Sequence, residues 1–341
     1  MNTYRLSLIR VAAVAASLAL FAGISHAADK VDMAAAKKEG KVVWYTSTPI
    51  ATAQKVVDLF QSQSGIKVEL FRSGGTAILS RFMQEYDAKL IAADVLTTSD
   101  PAAADAMAKK GMFVAFKPAA FDKIPDAAKD PSGYHVAQRL NMITMFARED
   151  KVAAADRPTS WTSLLEPKFK GKMVMSDPSF TSLQLSVVGT LSKKLGWSYY
   201  ENLRKNDIMV VQGNEQILDN LKRGERLIAA GALDSYAADA RKQGHKIMSI
   251  YPSDGTFVIP SPTSIIKGSP HPNAAKAFAD FMVSEKAQQL FPQGGGYAAR
   301  VDVAPPAGSP DLKSMTILAV DYDDIEKRST EIKNKFNDIF Q

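Results

Sequence analysis

Arg72 precedes Ser73-Gly74-Gly75-Thr76, so a guanidinium stands beside a turn whose backbone a ligand can approach closely, because Gly74 and Gly75 carry no side chain. Guanidinium and backbone amides together suit bidentate capture of a phosphate, phosphonate or carboxylate. The plainer alternative is a surface arginine at a strand end. Thr46-Ser47-Thr48 and Ser99-Asp100 repeat the small polar theme, each just ahead of a proline. A fourth cluster, Ser176-Asp177-Pro178-Ser179-Phe180-Thr181-Ser182, lies further along the chain, and ordinary helix capping is its simplest role. Asp234, Tyr236 and Asp254 add acceptors for an amine or for sugar hydroxyls, or else are loop acids and a half-buried tyrosine.

Catalytic chemistry has few candidates. The chain has no cysteine, which removes disulfides, thiol catalysis and cysteine metal sites together. His135, His245 and His271 show no metal-ligand spacing. The sequence contains no Gly-x-Ser-x-Gly elbow, Gly-x-x-x-x-Gly-Lys loop or His-Glu-x-x-His pair. An exported hydrolase using a pair of scattered carboxylates is the rival class, and turnover of a ligand would distinguish it. No cofactor and no resident metal are expected.

The clusters need elements to carry them. Val42-Val43-Trp44-Tyr45 is an apolar run suited to a buried parallel strand, with one of Trp44 and Tyr45 expected in the core. Thr46-Ser47-Thr48-Pro49 then supplies cap residues and a first-turn proline, and Ile50, Ala53, Val56, Val57 and Phe60 share a helical face. A second strand over Ile66 to Phe71 leads into a helix with Ile78, Leu79, Phe82 and Tyr86 on one face. A third, Asp94 to Thr97, meets Ser99-Asp100-Pro101. Three βα units in succession predict an α/β sheet flanked by helices, with all three polar clusters at strand ends where helix starts favour anions.

From Tyr134 to Arg148 a long β-rich run predicts a crossing into a second lobe, where Asn141 either reaches the ligand or satisfies buried backbone. That lobe is expected to hold a helix over Trp161 to Leu165, strands over Lys172 to Met175, Ile208 to Gln212 and Leu227 to Ala230, and helices over Thr181 to Leu195 and Tyr199 to Lys205. Phe257 to Ile259 and Ser264 to Ile266 would return the chain to the first sheet, followed by a helix over Pro272 to Ser284. A terminal amphipathic helix over Ile325 to Phe340 is expected to pack across the second lobe.

The first ten residues carry Arg5 and Arg10 and no acid, ahead of an apolar run from Val11 to Ile24 and a small-residue site ending at Ala27. The run is about 14 residues, short of the roughly 20 needed to span a bilayer. Residues 1–27 therefore read as a cleaved Sec-type signal peptide, which predicts a periplasmic protein. Without that leader's two arginines, the 42 basic residues exceed the 36 acidic ones by 4, a mild and interspersed excess with no nucleic-acid footprint.

Several stretches resemble one known family. They are Val43-Trp44-Tyr45-Thr46-Ser47, Gly65-Ile66-Lys67-Val68, Ala93-Asp94-Val95 and the helix Pro272 to Ser284. Most specific is Arg157-Pro158-Thr159-Ser160-Trp161-Thr162-Ser163-Leu164-Leu165-Glu166-Pro167-Lys168-Phe169-Lys170-Gly171-Lys172. Together they resemble the periplasmic solute-binding proteins of ABC importers with type 2 topology, near the ferric-iron, phosphonate and sugar-phosphate binders. The resemblance implies a non-enzymatic, monomeric receptor with two α/β lobes, each a mixed sheet flanked by helices. A small anionic ligand sits between them, and a membrane permease is the partner. The expected lobes are 28–138 with 255–300, and 139–254 with 301–341, hinged near Asn141 and Thr256. The expected ligand set is Thr46, Ser47, Thr48, Arg72, Ser73, Gly74, Gly75, Thr76, Ser99 and Asp100 from the first lobe. Asn141, Asp177, Ser179, Phe180, Thr181, Ser182, Asp234 and Tyr236 complete it. Ferric iron is the alternative ligand. The iron binders of the group use adjacent tyrosines plus a histidine, tyrosine or carboxylate, and here Asp234-Ser235-Tyr236-Ala237-Ala238 keeps a single tyrosine. A receptor serving a sensory partner would share the same cleft.

Overall fold

The computed structural model describes residues 28–341, so the leader expected over 1–27 lies outside the described residues. Strand β1 (Lys41–Thr46) pairs in parallel with β2 (Lys67–Arg72) and β3 (Val95–Thr97), in register Trp44 to Leu70 and Trp44 to Val95. Both faces of β1 are covered: Trp44 packs with Phe60 and Phe278 on one side, Tyr45 with Ile78 and Phe82 on the other. Both aromatic residues are thus core, because a parallel strand under two helical layers has no solvent face. Helices α1 (Met33–Glu39), α2 (Ile50–Ser64), α3 (Gly75–Asp87) and α4 (Pro101–Lys109) complete this part, with the short β4 (Phe113–Val114) beyond.

Strand β5 (Val136–Arg148) is long and runs through both halves of the molecule. Further on come β6 (Met173–Ser176), α5 (Ser182–Leu195), α6 (Ser198–Lys205), β7 (Met209–Val211), α7 (Asn214–Arg223), β8 (Ile228–Leu233), α8 (Asp234–Lys242) and β9 (Ile247–Ile250). The expected helix at Trp161 is instead a 3-10 turn over Thr162–Leu165. Trp161 is buried and held by its Nε1 donating to Gly255 O at 2.8 Å. Its backbone N–H donates to Asp254, so that acid is structural.

The return segment is one strand, β10 (Phe257–Ile266), rather than two short runs. Pro260 and Pro262 removed the donors on which a continuous reading would rest, and the register shift between Ser261 and Pro262 absorbs the break. The sheet order is β2-β1-β3-β10-β5-β8-β6-β7, with β5 and β10 antiparallel at its centre. These two strands join an N-terminal three-strand group to the β8-β6-β7 group. That is the α/β, two-lobed, mixed-sheet architecture with crossing strands.

Helices α9 (Pro272–Met282) and α10 (Glu285–Gln293) return to the first lobe, followed by β11 (Tyr297–Ala298) on β5. The last helix, α11 (Tyr322–Phe340), buries Ile325, Ile332 and Phe336 against the second-lobe core. It also reaches α4 of the first lobe, where Lys333 and Glu326 are charges felt by the half-buried Asp100.

Candidate functional site

The carboxyl ends of β1, β2 and β3 face the ends of β6, β7 and β8 across a narrow cleft. Its first wall is Ser47, Pro49, Arg72, Gly74, Gly75 and Ser99, and Arg139 lines it from crossing strand β5. The opposite wall is Phe180, Thr181, Ser182, Leu183, Gly213, Asn214, Glu215, Leu233 and Tyr236. A small hollow between Phe116, Tyr134 and Met282 has no charged lining residue and offers a ligand little beyond apolar contact.

Five helices begin at this cleft, and their N-cap residues, Pro49, Gly74, Thr181, Gly213 and Leu233, all line it. None of the five makes a side-chain cap bond. Elsewhere Asp32, Asp100, Ser284 and Asp321 each cap their own helix through a carboxylate or hydroxyl, whereas α6 and α9, whose N-cap residues are Trp197 and His271, also lack a side-chain cap. The first backbone N–H groups of a helix have no intrahelical acceptor, and the helix dipole adds partial positive charge there. Polar residues ahead of a helix would ordinarily satisfy those donors. Here Thr181 does not, and Pro49, Gly74, Gly213 and Leu233 carry no acceptor to offer.

Arg139 is the second element. It is 5% exposed, and its Nε and Nη2 are buried with no hydrogen-bond partner among the described residues. Only Nη1 is engaged, donating to Asn141 Oδ1. Burial pushes the guanidinium down to about 9, reinforced by nearby Arg72 and opposed by Tyr236. A buried cation without a counter-charge is costly, and its two free nitrogens are suited to an anion. Asn141 fixes Arg139 from behind: its amide donates to Ile259 O and Ser261 Oγ, both at 2.8 Å. Ser261 Oγ lies 3.3 Å from Ser99 Oγ, which lies 3.0 Å from Ser47 Oγ, so the hydroxyls of the first wall belong to one network. Ser182 Oγ, on the opposite wall, is buried and has no hydrogen-bond partner among the described residues.

Arg72 is already engaged. Its Nε donates to Thr48 O at 3.2 Å, and its Nη2 lies 2.8 Å from Glu215 Oε1 and 3.4 Å from Tyr236 Oη. Tyr236 Oη donates to Glu215 Oε1 at 2.7 Å. Burial would raise the Glu215 carboxyl, but the Tyr236 hydrogen bond and the Arg72 charge outweigh it and hold it below its ordinary value. Burial and the Glu215 charge push the Tyr236 phenol upward. This trio ties one wall to the other. The glycines allow the walls to touch: a Cβ on Gly74 would meet the Phe180 ring at 2.8 Å, and one on Gly75 would collide with Ser182 Oγ.

Of the residues expected from sequence, Ser47, Arg72, Gly74, Gly75, Ser99, Phe180, Thr181, Ser182 and Tyr236 meet at the cleft. Thr46 and Thr48 are turned inward, with hydroxyls 2.8 Å apart and Gln138 Nε2 donating to Thr48 at 2.6 Å. Asp100 caps α4, accepting from Ala103 N at 3.0 Å. Asp177 accepts from Ser179 N and so shapes the loop carrying Phe180. Ser73 and Thr76 flank the turn without lining the cleft, and Asn141 stands behind Arg139. Asp234 is buried away from it, bonded to Ser249 and to Tyr251 Oη at 2.8 Å, and burial raises its carboxyl despite both donors. Sequence reasoning missed Arg139 and Glu215. A charged residue inside the apolar run Val136 to Phe146 was a legible signal for the first, whereas nothing local marks Glu215.

A sequence profile described as bacterial extracellular solute-binding protein matches residues 91–328. A putative 2-aminoethylphosphonate-binding periplasmic protein of Salmonella paratyphi A is 25% identical over 278 residues, covering 78% of this chain and 77% of that one. The structure of the periplasmic binding protein AfuA from Actinobacillus pleuropneumoniae, with fructose-6-phosphate bound, superposes with TM-score 0.78 at 19% identity, covering 88% of this chain and 98% of that one. Iron-bound HitA from Pseudomonas aeruginosa superposes at 0.76, also at 19% identity, over 88% and 99%.

Proposed function

We propose that this chain, which belongs to the bacterial extracellular solute-binding protein family, captures a small organic anion between its lobes and delivers it unaltered to the permease of an ABC importer. The observation that carries the ligand class is Arg139: a buried guanidinium with two unpartnered nitrogens, surrounded by helix starts that lack side-chain caps. An anion supplies the missing acceptors for both at once. The periplasm is the site of action, in keeping with the leader-like N-terminus and with a relative named as periplasmic. The protein acts as a monomer without catalysis. Its lobes comprise 28–138 with 255–300 and 139–254 with 301–341, and they move about the crossing strands near Asn141 and Thr256.

Ferric iron is the weaker reading on electrostatic grounds. Two guanidinium groups line the cleft against one carboxylate and one tyrosine, and that tyrosine's proton is held more tightly than usual. A trivalent cation would meet net repulsion there. The deciding experiment is a thermal-shift and calorimetric screen of phosphonates, sugar phosphates, carboxylates and ferric salts. A ligand that binds only the folded state raises the melting temperature by mass action. Stabilisation by an anionic member is the expected result, and stabilisation by ferric ion alone would overturn the assignment.

A further inference from the structure

A cleft built for anions has no evident need of a carboxylate, yet Glu215 lines this one. The formal charges among its lining residues are Arg72, Arg139 and Glu215, which sum to a single positive charge. Arg72 and Glu215 pair with each other at 2.8 Å, which leaves Arg139 as the uncompensated member. A ligand with two negative charges and no positive one would leave a negative charge enclosed with Glu215. A ligand of net charge minus one balances the cleft. Both protein bonds to the Glu215 carboxylate fall on Oε1, leaving Oε2 open to a further donor. The carboxylate is partly exposed, with 45% of its side-chain surface accessible, so a ligand can reach it without displacing Arg72.

Building on the anion assignment above, we propose that Glu215 sets the ligand class. The cleft takes a zwitterion whose phosphonate or phosphate head sits on Arg139 and the helix starts, while its primary amine donates to Glu215. The acceptors suggested by sequence for such an amine, Asp234 and Asp254, are committed to Ser249, Tyr251 and Trp161. Tyr236, the third, is part of the Glu215 arrangement itself.

The test is calorimetry on the full mature chain and on Glu215→Gln, with 2-aminoethylphosphonate and with ethylphosphonate, which has the same head and no amine. A charge-assisted hydrogen bond is worth roughly 10- to 100-fold in affinity, so wild type should prefer the aminated ligand by at least about tenfold. Glu215→Gln should bring that preference below about threefold, with ethylphosphonate gaining affinity as the negative charge is removed. Equal binding of the two ligands by wild type overturns the proposal. So does a Glu215→Gln variant that loses both ligands equally, since Glu215 would then act only as a latch between lobes. If fructose-6-phosphate or a simple carboxylate binds and 2-aminoethylphosphonate does not, the zwitterion fails while the anion assignment stands. If no anion binds, both fall.

Discussion

Replacing Arg139 by methionine separates a ligand-binding charge from a structural one, because the two roles predict opposite effects on the empty protein. Two guanidinium nitrogens lack partners, and each charge-assisted hydrogen bond they make to an anion is worth about 1.5–3 kcal/mol. The backbone donors at the five helix starts remain in the variant, so the lower bound applies: a loss of about 3 kcal/mol, or roughly 100-fold in Kd. In the ligand-free protein the balance runs the other way. Methionine removes an unpaired buried charge, and exchanging buried ionic groups for apolar ones of similar size is often neutral or stabilising by about 1–4 kcal/mol. Against this stands the lost bond to Asn141, which leaves one buried acceptor unsatisfied at a cost of about 1–3 kcal/mol. The ligand-free variant should therefore melt at or slightly above the wild-type temperature while binding the screened anion at least about 100-fold more weakly. Calorimetry and thermal denaturation read the two quantities independently. Affinity within about threefold of wild type, or a destabilised protein with affinity retained, would refute the assignment of Arg139 to the ligand.

The same residue gives a pH signature. With Arg139 lowered to about 9 by burial, affinity for an amine-free carboxylate, which does not itself titrate above pH 6, should hold steady from pH 6 to 8 and fall as pH rises through about 9. The sign for stability is opposite: above that value the folded chain has released a proton that the unfolded chain retains, so this group makes folding more favourable with rising pH. Arg139→Met should abolish both trends, and a flat affinity profile to pH 10.5 would count against the lowering by burial. Gly74 has φ −62 and ψ 153, a backbone conformation open to any residue, so Gly74→Ala should leave the melting temperature nearly unchanged. Its Cβ would meet the Phe180 ring at 2.8 Å, however, so ligand affinity should fall by about tenfold, and small-angle scattering with saturating ligand should show a more open particle. Ile332 is fully buried under α11, and Ile332→Ala should cost about 2–4 kcal/mol in urea denaturation without altering the affinity of the folded fraction.

The architecture was legible because each βα unit announces itself locally: an apolar run, a polar cluster, then a helical face. The cleft's first wall was legible for the same reason, since Ser47, Gly74, Gly75 and Ser99 sit at those junctions. What sequence obscured is which small polar residues point where. Thr46 and Thr48 look equivalent to Ser47, but strand alternation and the Gln138 bond turn them into the protein. Asp234 precedes Tyr236 by two residues and shares its helix, yet opposite orientations send one to Tyr251 and the other to the cleft. Glu215 acquires a role only when α7 comes to face β2, a contact between residues far apart in the chain.

These placements also explain why the lobes should close on a ligand. Contact between Gly74 and Phe180, together with the Arg72 pair to Glu215 and Tyr236, favours closure. Closure without an anion, however, keeps Arg139 Nε and Nη2 and the Ser182 hydroxyl from water with nothing among the described residues to receive them. The first contribution is modest, because Glu215 is half exposed and such pairs are worth about 1 kcal/mol or less. The second is larger, since each unsatisfied buried donor costs about 1–3 kcal/mol. The empty closed state is thus held up in free energy by the same donors that an anion satisfies, so ligand binding and closure are one linked equilibrium. Arg139→Met, by lowering the cost of closing empty, should raise the closed fraction of the ligand-free protein. Paired spin labels on the two walls would register that as a shift toward short distances, and an unchanged distance distribution would break the link between the buried charge and the opening of the lobes.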